Sequence, residues 1–85
     1  MRTKKPENPN VFVRAFDLGG FAVHDLKNGW VVLENPLDPE VILAVPMNQP
    51  LQAEKIDSYL RAAKISEKTY DAWIIKALKN PKPER

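Results

Sequence analysis

The dipeptide Asn28-Gly29 constrains the fold more than any other feature of this sequence. It lies between two short segments, 21–26 and 30–34, that are rich in β-branched and aromatic residues. Asparagine and glycine accept positive φ at both central positions of a type I′ turn, and the twist of that turn suits an antiparallel pair of strands. The sequence therefore predicts a β-hairpin with a two-residue loop.

A two-residue loop also predicts the register of the hairpin. Leu26 would lie opposite Val31, and His24 opposite Leu33. Because side chains alternate along a strand, one face of the hairpin would then be largely apolar and form the core. The residues predicted on this face are Ala22, His24, Leu26, Val31 and Leu33. His24 is accordingly expected to be a buried structural histidine with one hydrogen-bond partner.

Two further segments carry strand signals. Residues 11–16 (VFVRAF) precede a Gly19-Gly20 turn and predict a strand. Residues 35–39 read as a loop. Residues 41–45 (VILAV) fit a buried strand, although Asp38-Pro39-Glu40 would equally suit the start of a short helix. We favour the strand, which gives an antiparallel sheet of three or four strands.

Two amphipathic helices are predicted after the sheet. The first covers 51–63, with Asn48 as its cap and Pro50 in its first turn. Its apolar residues recur at helical spacing and are Ile56, Tyr59, Leu60 and Ala63. The second covers 67–79, starts at a Ser66 N-cap and ends before Pro81. Its apolar residues are Tyr70, Trp73, Ile74, Ala77 and Leu78. The predicted fold class is therefore α+β, with an N-terminal antiparallel sheet and a C-terminal helix-turn-helix pair.

The length of 85 residues indicates one domain, predicted over 11–80 between a flexible basic arm, 1–10, and a flexible basic tail, 81–85. Lysines and arginines exceed acids by three to one in 1–10 and by eight to five in 51–85, whereas acids exceed them by five to two in 11–50. The basic ends favour a partner-facing region or serve only solubility. The absence of cysteine favours a reducing, cytoplasmic location, and no apolar run reaches the ~18 residues of a membrane span.

The sequence contains no convincing catalytic or metal-binding set. His24 is the one histidine, and thiolate ligands are excluded because there is no cysteine. Ser58 and Ser66 are better explained as helix-surface and N-cap residues than as nucleophiles. Gly19-Gly20 lacks the lysine and the following helix of a phosphate-binding loop. We therefore expect a binding protein without cofactor, metal or small-molecule substrate, rather than an enzyme.

Residues 56–79 resemble the helix-turn-helix of small phage and plasmid regulators of the repressor or excisionase type. The matching positions are Ala63, Ile65, Ser66, Thr69, Tyr70 and Trp73. Two positions depart from the pattern. Lys64 stands where such turns favour glycine, since the chain often needs positive φ there, and Leu60 stands where a small residue usually lets the helices approach.

The resemblance implies a regulator that binds duplex DNA as a dimer or higher homo-oligomer, with its second helix in the major groove. The residues implied on that helix are Lys68, Thr69, Ala72, Ile75, Lys76 and Lys79. Three residues of the arm, Arg2, Lys4 and Lys5, would enter the minor groove. Alternatively, the lysines only solvate the helix, and Ile75 packs against the sheet or a second subunit.

A second function also fits the sequence. Trp30 and Lys27 lie beside the predicted turn, on the hairpin face that carries charged residues. Interfaces favour tryptophan within a polar rim. The alternative is therefore a non-enzymatic protein-interaction module, an adaptor or inhibitor that docks through the sheet face around Trp30 or adds a strand to a sheet edge.

Overall fold

A computed structural model describes residues 6–26 and 28–79 of the chain, with Leu26 described by its backbone alone. The elements are α1 (Pro9–Leu18), β1 (Ala22–Leu26), β2 (Trp30–Asn35), β3 (Asp38–Pro46), α2 (Ala53–Ala63) and α3 (Glu67–Lys79). The strands form one antiparallel sheet in the order β1-β2-β3. Among the described residues, no helix combines the length and apolar character needed to cross a membrane.

The segment 11–16 lies inside helix α1, so the strand predicted there is wrong. Asn8 Oδ1 accepts a hydrogen bond from the Asn10 N–H at 2.8 Å, and Pro9 is the first helical residue. This capping pair favours a helix start strongly enough to override the β-branched residues that follow. Because α1 precedes the sheet, the sheet is not N-terminal as predicted, whereas the α+β class, the three antiparallel strands and the helix pair that follows them are as predicted.

Helix α1 ends in a Schellman motif at the glycine pair. Gly20 has φ +99°, a conformation that costs glycine little. Its N–H donates to the Asp17 carbonyl at 3.1 Å, and the Phe21 N–H donates to the Phe16 carbonyl at 3.0 Å. The Phe21 ring packs edge-on against Phe16 with centroids 4.9 Å apart. The glycine pair thus turns the chain from a helix, rather than from a strand, into β1.

The β1–β2 turn has the predicted conformation but a different register. Asn28 and Gly29 have φ of +73° and +77°, as a type I′ turn requires. Leu26 nevertheless lies opposite Trp30 instead of Val31, so three residues, 27–29, separate the paired positions. The predicted two-residue loop is therefore wrong by one residue.

This one-residue shift exchanges the two faces of β1. Val23 lies opposite Leu33 and packs against the core, whereas His24 is exposed and its Nε2 lies 2.8 Å from Glu34 Oε1. The predictions that His24 is buried and that Ala22 belongs to the core are therefore wrong. Val31 and Leu33 are buried as predicted.

Residues 41–45 are strand, as favoured from the sequence, and β3 extends over Asp38–Pro46. The predicted loop 35–39 is shortened to a tight turn at Pro36-Leu37, because Asn35 already pairs with Asp38 across a bulge in β2. Alternate residues of β3 face the helices and are buried, namely Val41, Leu43 and Val45. Strands β2 and β3 therefore bury mainly the face toward the helices.

Helix α2 begins at Ala53 instead of Leu51. Leu51 pairs with Glu7 through two backbone hydrogen bonds of 2.8 Å, so ordered structure begins before residue 11, where the predicted domain starts. The predicted apolar residues of α2 are all buried. Helix α3 has the predicted bounds, but Leu78 is 61% exposed, so its assignment to the buried stripe is wrong.

Helix α1 packs chiefly on α3, and α2 packs chiefly on β3. The backbone of α1 lies closest to that of α3, whereas α2 and α3 make few contacts with each other beyond the turn that joins them. Phe12 and Phe16 of α1 contact Tyr70, and Phe16 also contacts Trp73 with ring centroids 5.3 Å apart. Trp73 is therefore a packing residue that joins α3 to the rest of the domain, as predicted.

We expect Gly19→Ala and Gly20→Ala to destabilise the protein for different reasons. A methyl group on Gly19 would overlap the Trp73 indole, and this overpacking should cost ~1–3 kcal/mol. A methyl group on Gly20 meets open space, but its positive φ should cost about 1–2 kcal/mol. Denaturant unfolding followed by circular dichroism measures both effects.

The control is a double-mutant cycle with Trp73→Leu. Trimming the indole should reduce the cost of Gly19→Ala below about 0.5 kcal/mol, because the two groups would no longer overlap. The cost of Gly20→Ala should persist in the same background. If Trp73→Leu changed the free-energy cost of Gly19→Ala no more than that of Gly20→Ala, the indole would not restrict position 19.

Tyr59 links α2 to the edge of the sheet and predicts a pH dependence. Its hydroxyl donates to the Ala44 carbonyl at 2.6 Å, and burial raises its pKa above the ordinary value of about 10. A raised folded-state pKa means that its contribution to stability is complete below pH ~10 and is lost as the pH rises toward the folded pKa.

Tyr59→Phe should therefore cost about 1 kcal/mol near neutral pH, through loss of one hydrogen bond. The stability difference between the parent protein and this variant should shrink above pH ~10, because only the parent must ionise Tyr59. Urea unfolding at a series of pH values measures the difference. A stability difference that stays constant through alkaline pH would contradict the raised pKa of Tyr59.

Candidate functional site

The turn between α2 and α3 contains one residue in the left-handed conformation. Helix-turn-helix turns favour glycine for this conformation. Lys64 adopts φ 61° and ψ 41°, in the left-handed region. Its N–H donates to the Arg61 carbonyl at 3.1 Å, and the Ile65 N–H donates to the Leu60 carbonyl at 3.0 Å. Ile65 packs against the core. Satisfied carbonyls and a partly buried aliphatic residue thus hold the turn in place despite a lysine at the strained position.

Ser66 caps α3 as predicted. Its Oγ accepts a hydrogen bond from the Thr69 N–H at 3.2 Å, and its hydroxyl donates to Thr69 Oγ1 at 3.0 Å. Glu67 adds a negative charge in the first turn, where the helix dipole favours it. Thr69 was predicted to contact DNA; its side chain is exposed, but its hydroxyl belongs to the cap.

The outer face of α3 presents a row of exposed lysines. Tyr70 and Ala77 are buried on the opposite face, with Trp73 and Ile74 half-buried beside them. Four exposed residues follow one another at spacings of four, four and three along the outer face. We call this set the lysine stripe: Lys68, Ala72, Lys76 and Lys79.

A second row of α3 lies beside the lysine stripe and is apolar. Ile75 is 55% exposed, and Leu78, three residues further, is also exposed. Asp71 precedes Ile75 by one helical turn. The structure thus brings five of the six predicted helix positions onto one outer face, with Thr69 at its margin. It also shows that Ile75 does not pack against the sheet.

The other exposed surface of note is the side of the sheet that carries no helix, which we call the open sheet face. Trp30 is 43% exposed there, and Ile42 is 54% exposed. The strand register places Val32 between His24 and Ala44, and Glu34 between Ala22 and Ile42. Helix α1 packs against all three strands from the other side.

Several predicted site residues lie outside the described residues. They are Arg2, Lys4 and Lys5 of the arm, Lys27 of the β1–β2 turn, and the tail 81–85. Of the two residues assigned to the alternative protein-binding site, Trp30 alone is described.

The described surface offers little for small-molecule chemistry. A concavity of about 360 Å³ lies between the Pro36-Leu37 turn and the α2–α3 turn, and a second of about 610 Å³ lies between Pro6–Asn10 and Met47–Pro50. No serine, threonine or histidine lines either concavity. Among residues 6–26 and 28–79, no group of three histidine or carboxylate side chains is placed to hold a metal ion.

Sequence reasoning missed most of the open sheet face. Trp30, Val32 and Glu34 were assigned to one side of the hairpin, but Ile42 and Ala44 were not placed because β3 had an alternative reading. His24 was assigned to the wrong face by the two-residue loop. A hairpin with three residues between paired positions would have placed His24 beside Glu34, where the structure has it.

The strain at Lys64 predicts a stabilising substitution. Glycine adopts the left-handed conformation without the steric penalty of a side chain, so Lys64→Gly should stabilise the protein by about 1 kcal/mol. The ion pair of Lys64 Nζ with Asp38 Oδ2, at 3.4 Å, is exposed and contributes little.

Lys64→Ala is the matched control, because it removes the ion pair but keeps a β-carbon at the strained position. Its unfolding midpoint should stay near that of the parent protein. If glycine gave no more stability than alanine, the left-handed conformation at this position would be contradicted.

No family model, no curated protein and no solved structure matches the chain. The surfaces that can recognise another molecule are therefore identified by their own geometry and charge. Two stand out in the described chain, the lysine stripe of α3 and the open sheet face.

Proposed function

We propose that this protein binds duplex DNA through the lysine stripe of α3. The observation that carries the proposal is the placement of three lysines along one exposed side of a helix whose opposite side is fixed in the core. Lysine ammonium groups that neutralise phosphates release counterions, and this release supplies most of the affinity of non-specific DNA binding.

The dimensions of the stripe suit the major groove. Lys68 and Lys79 are eleven residues apart, which corresponds to about 16 Å along a helix axis. The major groove is ~12 Å wide, so lysines at the two ends of the helix can reach phosphates on both of its edges. Ala72 lies between them and is small enough to let the helix approach the bases. Ile75 borders the stripe and can contact a thymine methyl group.

The support behind α3 also favours recognition by a helix. Tyr70 is fully buried against Phe12 and Phe16, and Trp73 packs on the end of α1. The Ser66 cap fixes the first turn. A side chain that recognises a groove must be held within a narrow range of positions, and sites on packed helices satisfy this better than sites on loops.

Thr69 and the exposed apolar residues of α3 have separate roles in this proposal. Thr69 belongs to the helix cap and contacts at most a phosphate, because its hydroxyl oxygen already accepts a hydrogen bond from Ser66. The exposed Ile75 and Leu78 offer an apolar seam for a second copy, which accords with binding as a homo-oligomer to a symmetric or repeated site. A DNA ligand also accords with the cytoplasmic location that the lack of cysteine favours.

The test is a titration of the purified protein with duplex DNA at ~50 and ~200 mM salt. Replacing Lys68, Lys76 and Lys79 with alanine should leave the fold intact, because exposed charges contribute little to stability. The variant should bind about tenfold more weakly or worse at ~50 mM salt. Its salt slope should fall by about 0.9 for each phosphate that a lysine no longer neutralises, or ~2.7 for all three.

The matched control replaces three exposed cations outside α3, namely Lys55, Arg61 and Lys64, with alanine. It changes the net charge by the same amount but leaves the stripe intact, so its affinity and salt slope should stay closer to those of the parent protein. An equal weakening of both variants would assign the effect to net charge alone. A parent protein that shows no binding at ~50 mM salt and micromolar concentration would rule the proposal out.

A further inference from the structure

The open sheet face is more apolar than a solvent-facing side of a sheet usually is. Antiparallel sheets with one buried face normally carry polar residues on the other. Here the exposed side presents a continuous apolar group across β2 and β3, composed of Trp30, Val32, Ile42 and Ala44. Contiguous apolar surface that no helix covers is typical of an interaction site.

The carboxylates described on the open sheet face are those of Glu34 and Glu40, and Glu34 Oε1 lies 2.8 Å from Nε2 of the neighbouring His24. The described residues of 21–46 include four acids and no lysine or arginine. Glu34 lies directly opposite Ile42, and Glu40 precedes Ile42 by two residues on the same face of β3. Both are at one end of the face, whereas Trp30 lies at the other end, opposite Pro46. The surface therefore combines an acidic end with an apolar end.

We propose that the open sheet face docks a basic, apolar segment of a protein partner. Aliphatic or aromatic side chains of the segment would pack on Trp30 and Val32, and a lysine or arginine would meet Glu34 and Glu40. Charge complementarity of this kind sets orientation and speeds encounter, while a desolvated tryptophan supplies affinity. The inference is independent of DNA binding, since it concerns a different surface of the molecule.

Charge also disfavours the two other occupants of the face. Nucleic acid would bring phosphates against Glu34 and Glu40. A second copy placed face to face would bring these carboxylates against either the same carboxylates or the apolar end of the face, and the described part of the face carries no lysine or arginine to pair with them. A cationic segment neutralises them instead.

The test uses two synthetic peptides that alternate leucine with a charged residue and contain no aromatic residue. One carries lysine and the other glutamate. Each is titrated into the ¹⁵N-labelled full chain, and amide spectra are recorded. The lysine peptide should shift the Trp30 indole N–H and the amides of Val32 and Ala44 in a saturable way, with a Kd below about 1 mM. The glutamate peptide should leave them unchanged.

Variants of the face separate docking from general charge attraction. Trp30→Ser combined with Ile42→Ser removes the apolar anchors and should weaken binding of the lysine peptide at least tenfold. Glu34→Gln combined with Glu40→Gln keeps the shape of the face and should remove most of the salt dependence of binding. The matched control is Leu18→Ser combined with Leu37→Ser, which removes two exposed apolar side chains from other parts of the surface and should leave binding of the lysine peptide unchanged.

Four other results would overturn the proposal or assign the face to a different occupant. Shifts that map outside the open sheet face, or equal affinity in the Trp30 and Ile42 variant, would overturn the proposal. Shifts of the same amides by duplex DNA would assign the face to nucleic acid. If the parent protein sediments as a dimer and the Trp30 and Ile42 variant sediments as a monomer, the face would be assigned to a second copy. DNA affinity of the Trp30 and Ile42 variant, which has the same net charge as the parent protein, should equal that of the parent, so failure here and failure of the lysine stripe are distinguishable.

Discussion

The rings of Phe12 and Phe16 on α1 connect the layers of this molecule. Their centroids lie 4.7 Å apart, and Phe12 contacts Tyr59 of α2 at 5.3 Å and Tyr70 of α3 at 5.7 Å. Phe16 extends the cluster to Trp73. Buried aromatic rings contribute large apolar areas and tilted contacts that favour defined geometry. Because α3 packs mainly on α1, the direction in which α3 presents its outer face depends on this cluster.

Two residues with positive φ set the direction of the chain at the ends of helices. Gly20 turns α1 into the sheet, and Lys64 turns α2 toward α3, each within the same pattern of two backbone hydrogen bonds. Phe21 and Ile65 follow these residues and pack into the core. In both places an apolar residue that packs against the core anchors the turn, which explains why the lysine, despite its steric cost, keeps the conformation that glycine would adopt more easily.

The two candidate surfaces face away from α1 on different sides and have opposite chemistry. The lysine stripe is cationic with a small residue at its centre, and the open sheet face is acidic and apolar. Under the two proposals, the molecule would bind a polyanion on one side and a basic protein segment on the other, because each ligand is repelled from the other's surface.

The sequence by itself determined the parts whose signals are local. Helical periodicity and the Ser66 cap were sufficient to predict α3 and hence the exposure of its lysines, and Asn28-Gly29 was sufficient to predict a turn with positive φ.

Tertiary packing decided the remaining structure. The β-branched residues of 11–16 favour a strand in isolation, but the Asn8-Pro9 start and the burial of aromatic rings at helical spacing make this segment a helix. The register of β1 depended on pairing across the whole sheet, since one residue more in the loop moves His24 from the core to solvent. For that reason the open sheet face could not be predicted from the sequence. Its residues lie together only because the three strands pair in this register and the helices pack against the other side of the sheet.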